Sequence, residues 1–92
     1  MENIVRRRIR FYGRVQGVGF RYIACRMADM AGATGWVRNE YDGSVTMELQ
    51  CSPERIDRVL AGLDSARYIH IERTECTELP AEKGEKSFRV RY

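Results

Sequence analysis

Residues 13–21 combine three glycines with an arginine, the residue types from which a protein can build a small anion-binding loop. Gly13, Gly17 and Gly19 allow positive φ angles and let backbone N–H groups approach a ligand without an intervening Cβ. A helix that begins directly after the loop adds unpaired N–H donors and the positive end of its dipole. Arg21 supplies a permanently charged, planar guanidinium that matches phosphate or carboxylate. The pattern predicts anion binding.

The loop matches neither of the two common nucleotide-binding motifs. A Walker loop would need Gly-Lys followed by Ser or Thr, which is absent, and a dinucleotide fingerprint would need a third glycine within the stretch that follows Gly19. The glycine spacing by itself leaves one alternative open. In that alternative the glycines only shape a tight turn between a strand and a helix.

The elements that must position this loop follow from the hydrophobic pattern. Alternation predicts strands at about 6–12, 36–39, 45–50 and 68–76, and a short terminal strand at about 88–92. A helical stripe predicts a first helix over about 20–31, with one apolar side formed by Phe20, Ile23, Ala24, Met27, Met30 and Ala31. Ser52-Pro53 is typical of a helix start, and Asp42-Gly43 of a hairpin turn.

The order β-α-β-β-α-β indicates an α+β fold, a ferredoxin-like sandwich with two helices packed on one face of an antiparallel sheet. Residues 1–92 are expected to form a single domain. Right-handed crossovers make the first two strands parallel, with the third strand between them. The glycine loop and Asn39, at the end of the second strand, should then lie at the same end of the sheet, about 10 Å apart.

Composition narrows the class of protein. The chain has 92 residues, a net charge of +3 and 32% charged residues, as expected for a soluble globular protein. It contains no apolar run of membrane-spanning length and no signal-peptide core. Three cysteines, Cys25, Cys51 and Cys76, lack metal-ligand spacing. We therefore expect reduced thiols and a cytoplasmic protein without a metal site.

Several segments together resemble the acylphosphatase family: residues 13–21, 35–39 and 42–45, and the close of the chain at 88–92. The resemblance covers essentially the whole chain. It implies a stand-alone hydrolase that cleaves the carboxyl-phosphate anhydride bond of small acyl phosphates without metal or cofactor, releasing carboxylate and inorganic phosphate. Inorganic phosphate would also be an inhibitor.

The same resemblance implies a role for each matching residue. Arg21 would bind the phosphate and Asn39 would position the attacking water. The phosphoryl oxygens would be held by the loop backbone, namely Arg14, Val15, Gln16, Gly17, Val18 and Gly19. Asn39 is neutral and can orient water through its amide oxygen without acting as a base. A substrate phosphate oxygen is the hypothetical proton acceptor.

No protein base stands out for that proton. His70, the single histidine, is expected in the middle of a strand, far from the carboxyl ends of the first two strands. Asp42 is expected to form the turn with Gly43, and Glu40 to be solvated.

Two other classes of function stay open. Arginines at 6–8, with Arg10 and Tyr12, could form a basic strand for nucleic acid, although the third strand lacks the aromatics of an RNA-recognition sheet. A catalytically silent anion-binding module is the second alternative. The favoured reading has no nucleic-acid or membrane partner, and an exposed sheet face rich in polar residues (Arg8, Arg10, Thr46, Glu48 and Gln50) favours a monomer.

Overall fold

A computed structural model describes residues 3–92. Two helices and five strands follow one another along the chain: β1 (Val5–Arg14), α1 (Phe20–Met30), β2 (Thr34–Asn39), β3 (Val45–Cys51), α2 (Pro53–Asp64), β4 (His70–Leu79) and β5 (Phe88–Arg91). The predicted α+β, ferredoxin-like arrangement is confirmed, with β5 as the short additional strand.

The strands form one sheet in the order β4-β1-β3-β2-β5. Both β1 and β2 pair antiparallel with β3, which lies between them. Val45, the first residue of β3, pairs with Phe11 on one side and with Asn39 on the other. The predicted placement is therefore confirmed: the loop after β1 and the end of β2 lie at the same end of the sheet.

The sheet is mixed, and the expectation of an antiparallel sheet holds for every strand pair except the one formed by the additional strand β5. β5 pairs with β2 in parallel. The cause is the route of the chain, because β4 lies at one edge and runs antiparallel to β1, and residues 80–87 then reverse direction and reach the opposite edge. A strand that returns in this way must run parallel to β2.

The hydrophobic core lies between the sheet and the two helices. Ser52 caps α2 by accepting a hydrogen bond from the backbone N–H of Arg55 at 3.4 Å, and Pro53 follows at the first helical position. Each helix contributes one buried side, formed by Phe20, Ala24 and Ala28 of α1 and by Ile56, Val59 and Leu63 of α2. Met30, predicted on the apolar side, is the last residue of α1 and is 76% exposed.

β4 begins and ends later than predicted, and this shift relocates His70. The structure places His70 at the first position of β4, paired with Arg14, the last residue of β1. The expectation that His70 lies far from the carboxyl end of the first strand was therefore wrong. Tyr68 and Ile69 precede the strand, and Ile69 is buried in the core.

The outer face of the sheet is more covered than the sequence suggests. Glu48 is only 4% exposed, and Thr46 beside it is also buried. Arg6 is 1% exposed and donates hydrogen bonds to Glu48 at 2.8 Å and to Glu85 at 2.7 Å. Glu85 belongs to the segment 80–87, which the ion pairs fasten across the sheet. The prediction that Thr46 and Glu48 are exposed was therefore wrong. Arg6 and Arg8 both pair with the carboxylate of Glu48 and lie over it.

Candidate active site

The loop between β1 and α1 is shaped by glycines in the left-handed region. Gly17 has φ of 71° and Gly19 has φ of 82°, backbone angles at which a Cβ is strained. Val15, which lies between β1 and these glycines in the sequence, is fully buried, and its side chain anchors the loop in the core. Gly17 and Gly19 are exposed, so their backbone is open to a ligand while the loop stays fixed.

Helix α1 begins at the end of this loop and leaves its first N–H groups without a capping side chain. Its N-cap is Gly19, which has no side chain to accept from the first turn, and the first turn carries no acidic residue. Unpaired N–H groups and the helix dipole make this end of α1 electropositive. The buried ring of Phe20, 4.9 Å from the ring of Phe11, holds the helix start against the sheet.

One cavity of 340 Å³ brings Arg21 and Asn39 together with the glycine loop. The loop contributes Val15, Gly17 and Gly19 to its lining. Arg14 and Val18 instead line a second cavity, on the β4 side of the loop. The predicted site residues therefore lie in one region but line two cavities. Val15, Gly17, Gly19, Arg21 and Asn39 line the first, and Arg14 and Val18 line the second.

The guanidinium of Arg21 is free to meet an anion. Its Cζ lies 5.5 Å from the centre of the Tyr92 ring, a cation–π contact that leaves the N–H donors unused. Among residues 3–92 the guanidinium has no carboxylate partner within ion-pair distance. A half-buried cation of this kind, beside a helix N-terminus, favours binding of a doubly charged anion.

Asn39 lines the same cavity, and its side-chain oxygen is buried. It is the last residue of β2, and its Oδ1 is buried and accepts no hydrogen bond from the described part of the chain. Leaving such an oxygen unpaired costs about 1–3 kcal/mol, so a donor from a ligand or from water is expected there. Asn39 therefore carries an acceptor that lacks a donor among the described residues.

Gln16 has a role that sequence reasoning missed. Its side-chain Nε2 donates hydrogen bonds to the backbone carbonyls of Glu40 at 2.7 Å and Ser44 at 2.9 Å. These carbonyls belong to the turn between β2 and β3, directly after Asn39. The side chain of Gln16 therefore connects the glycine loop to the segment that carries Asn39. Gln16 meets this turn only in the folded protein, because the two are far apart along the chain. No sequence pattern therefore predicted the contact.

The carboxylates of the β2–β3 turn are engaged elsewhere. A hydrogen bond from Thr46 and the guanidinium of Arg38 hold the pKa of Glu40 below its usual range. Hydrogen bonds from Ser44 lower the pKa of Asp42, which forms the predicted turn. Glu40 was expected to be solvated, and this was wrong because Arg38 and Thr46 cover it. Neither carboxylate is a strong base.

The end of the chain completes the cavity. Val90 and Tyr92 line it together with Tyr22 of α1. The parallel pairing of β5 with β2 aligns Arg91 with Arg38 and thereby brings Tyr92 next to the end of β2. The sequence offered only the resemblance of the last residues to family C-termini, without a role for Tyr92.

Residues 3–92 also bear on a metal site and on a membrane-spanning helix. No group of three or more His, Cys, Asp or Glu side chains in this range has an arrangement that could hold a metal ion. Neither described helix is sufficiently long and apolar to cross a membrane.

Comparison with known proteins gives concordant matches. The model of the acylphosphatase family matches residues 7–90. An acylphosphatase of Nocardioides sp. is 41% identical over 80 residues, which are 86% of this chain and 80% of the relative. An acylphosphatase of Clostridium acetobutylicum is 36% identical over 85 residues, 91% of this chain and 93% of the relative. The crystal structure of acylphosphatase from Bacillus subtilis superposes with a TM-score of 0.87 at 29% identity, covering 96% of this chain and 99% of that chain.

Proposed function

This chain belongs to the acylphosphatase family and is an acylphosphatase, and from that premise we propose how its residues hydrolyse acyl phosphates. Arg21 and the backbone of residues 14–19 hold the phosphoryl group, and Asn39 orients the attacking water. The observation that carries the proposal is the shared cavity. Its lining includes Arg21, whose guanidinium has no carboxylate partner within residues 3–92, and Asn39, whose buried Oδ1 accepts no hydrogen bond from those residues.

The phosphoryl group binds where the positive features converge. Arg21 donates two parallel N–H groups to its oxygens, and N–H groups of the loop and of the first turn of α1 complete the set. Phosphoryl transfer depends mainly on positioning and on charge stabilisation. Donors fixed by Val15 and by the glycine backbone need no rearrangement as charge shifts in the transition state.

The water binds to Asn39. Its Oδ1 accepts one O–H, so that an oxygen lone pair is directed at phosphorus. The bond from phosphorus to the carboxylate oxygen breaks as the bond to water forms. The proton of the water passes to a non-bridging phosphate oxygen, and the products are a carboxylate and inorganic phosphate. The lowered pKa values of Glu40 and Asp42 support this acceptor over either side chain.

The direct test is hydrolysis of benzoyl phosphate by the purified protein, with and without a chelator. We expect release of benzoate and inorganic phosphate at the same rate in both conditions, because each proposed step uses only side chains and backbone of this chain. Loss of activity with the chelator, restored by a divalent metal, would contradict the mechanism. Salt-sensitive RNA binding without hydrolysis would favour the nucleic-acid alternative.

The setting of the enzyme is proposed as well. We infer a cytoplasmic monomer that acts on small acyl phosphates without nucleic-acid or membrane partners. Cys25 and Cys76 carry free thiols, which suits a reducing compartment. Paired arginines and glutamates on the outer face of the sheet leave little apolar surface for self-association.

A further inference from the structure

Glu40 directly follows Asn39 at the end of β2, and the proposed mechanism gives its carboxylate no role. Its side chain is 20% exposed. Arg38 donates to its Oε2 from Nη2 at 3.1 Å and from Nε at 3.3 Å. Thr46 of β3, which pairs with Arg38 in the sheet, donates a further hydrogen bond to the same side chain. These contacts hold the carboxylate against β2 and β3.

The side chains on either side of Asn39 lie on the outer face of the sheet. Arg38 and Glu40 line a cavity of 540 Å³ on that face, together with Trp36. Asn39, the residue between them, lines the cavity that contains Arg21. Alternate residues of a strand point to opposite faces. Contacts that fix Arg38 and Glu40 on the outer face therefore also fix the direction in which Asn39 points.

Three alternate residues brace the outer side of β2. The guanidinium of Arg38 lies over the ring of Trp36, with its Cζ 5.0 Å from the ring centre, and it also pairs with Glu40. Trp36 is buried, so this arginine rests on a fixed support. An exposed ion pair contributes little because both side chains are free to move, and this support removes much of that freedom. The Arg38–Glu40 pair thus connects the packed part of β2 to its end.

The main chain of Glu40 is restrained by hydrogen bonds as well. Its N–H donates to the carbonyl of Ser44 at 2.8 Å, and its carbonyl accepts from the N–H of Gly43 at 3.2 Å and from Nε2 of Gln16 at 2.7 Å. The N–H of Glu40 belongs to the planar peptide unit that follows Asn39, so its hydrogen bond restricts the ψ angle of Asn39. Both the side chain and the main chain of Glu40 therefore restrain the backbone that carries the amide.

We propose that Glu40 is a positioning residue for the hydrolysis and that it acts through Asn39. Held by Arg38 and Thr46, it fixes the end of β2 so that the Asn39 amide keeps the direction in which it orients the attacking water. The proposal rests on the role of Asn39 in the proposed function. The side chain of Glu40 has no part in phosphate binding, which is left to Arg21 and the glycine loop.

Alanine and glutamine variants of Glu40 test this role. Glu40→Ala removes the acceptor of Arg38 and Thr46, and kcat on benzoyl phosphate should fall about tenfold because small errors of alignment slow positioned reactions. The inhibition constant of inorganic phosphate should change less than about threefold, which also shows that the variant folds. Glu40→Gln keeps an acceptor oxygen and should retain at least about a third of kcat. Unaltered kcat in Glu40→Ala would overturn the proposal.

A double variant shows whether the effect passes through Asn39. In an Asn39→Ala background, Glu40→Ala should lower kcat less than about twofold, because the effects of two residues that act through one another are not additive. An undiminished loss in that background would overturn the proposal, since Glu40 would then act on something other than the amide. Full turnover by Asn39→Ala alone would instead refute the role of Asn39 itself, and this proposal with it.

Glu75 of β4 provides a matched control. Like Glu40, it pairs with an arginine two residues earlier, Arg73, at 3.0 Å, and it accepts a hydrogen bond from a hydroxyl group, that of Tyr12, at 2.8 Å. The guanidinium of Arg73 also lies over an aromatic ring, with its Cζ 4.0 Å from the ring centre of Tyr12. Glu75→Ala should leave kcat and phosphate inhibition unchanged, because β4 lies at the edge of the sheet away from β2. An equal loss of kcat in both variants would overturn the proposal.

Discussion

The side-chain amide of Gln16 donates a hydrogen bond to the backbone carbonyl of Glu40 over 2.7 Å, and this contact joins the glycine loop to the strand that ends in Asn39. A second hydrogen bond, to the carbonyl of Ser44 at 2.9 Å, uses the other N–H of the same amide. Along the chain, helix α1 and strand β2 separate the glycine loop from the β2–β3 turn. In the proposed mechanism, the distance between the phosphate and the attacking water therefore depends on Gln16.

Replacing Gln16 by alanine should slow catalysis without preventing folding. We expect kcat to fall at least about tenfold, because small errors of alignment are costly in positioned reactions. The free energy of unfolding should fall by about 1–2 kcal/mol, the value of two ordinary hydrogen bonds. Gln50→Ala is the matched control, since Gln50 also bridges to a loop, at Glu82, but at the opposite end of the sheet. If both variants lose stability equally and neither loses turnover, Gln16 does not position the site.

Replacing Arg21 by alanine should remove the phosphate anchor. The variant loses a charge-assisted, bidentate contact, so the inhibition constant of inorganic phosphate should rise about 100-fold and turnover should nearly vanish. Arg21→Lys should give an intermediate result, because an ammonium keeps the charge but lacks the planar fork. Inhibition of benzoyl phosphate hydrolysis measures both constants, with Arg58→Ala as the control. Unaltered inhibition of the alanine variant by phosphate would mean that another group binds the phosphate.

Replacing Asn39 by alanine should separate binding from catalysis. Turnover should drop about 100-fold or more, as it does when a fixed polar group that acts in the transition state is removed. The inhibition constant of inorganic phosphate should change by less than about threefold, because the loop and Arg21 remain. Steady-state kinetics with benzoyl phosphate and phosphate inhibition provide both readings. A parallel loss of phosphate affinity would assign Asn39 to phosphate binding and not to the water.

The buried ion pairs of the outer sheet face should make stability depend on acid pH. Burial raises the pKa of Glu85, but the hydrogen bond and charge of Arg6 outweigh it and leave the pKa below the ordinary 4.5, and Glu48 behaves alike. A carboxylate with a depressed folded-state pKa stabilises the fold above its unfolded pKa, and this contribution disappears as pH falls through the folded value. The free energy of unfolding should therefore decline below about pH 4.5.

Urea unfolding at a series of pH values tests this dependence. Glu85→Gln should be less stable than the unmodified protein at pH 7 and should lose less stability on acidification to about pH 3. Asp57→Asn, at an exposed position of α2, serves as the control and should keep the acid dependence of the unmodified protein. An unchanged acid slope in the Glu85 variant would show that the Arg6 network does not set it.

The sequence predicted features that depend on residues close together along the chain, and it missed features that depend on contacts between distant residues. Ser52-Pro53, the Asp42-Gly43 turn and the alternation around Ile9 are local signals, and the structure confirms each. The shared end of the sheet for Asn39 and the loop followed from the handedness of crossovers. The position of His70 could not be predicted, because Tyr68 and Ile69 continue the apolar pattern of the strand although they precede it.

The missed features of the site share a physical cause. Gln16 and Tyr92 act through contacts with residues distant in the sequence, Glu40 and Arg21. The cover over Glu48 arises in the same way, since Glu85 reaches Arg6 from the far end of the chain. Periodicity reports which face of an element is apolar, but not which polar side chains meet across it.

Within residues 3–92, strand β4 runs along the border of the sheet for 10 residues with β1 as its one neighbouring strand. One row of its backbone donors and acceptors is therefore open to any extended polypeptide. Its exposed side chains include Glu72, Arg73, Glu75 and Glu78. A foreign strand that docked there would have to strip water from these charges, which opposes the stacking of molecules into fibres. The charged side chains of this edge thus protect the chain against aggregation through strand pairing.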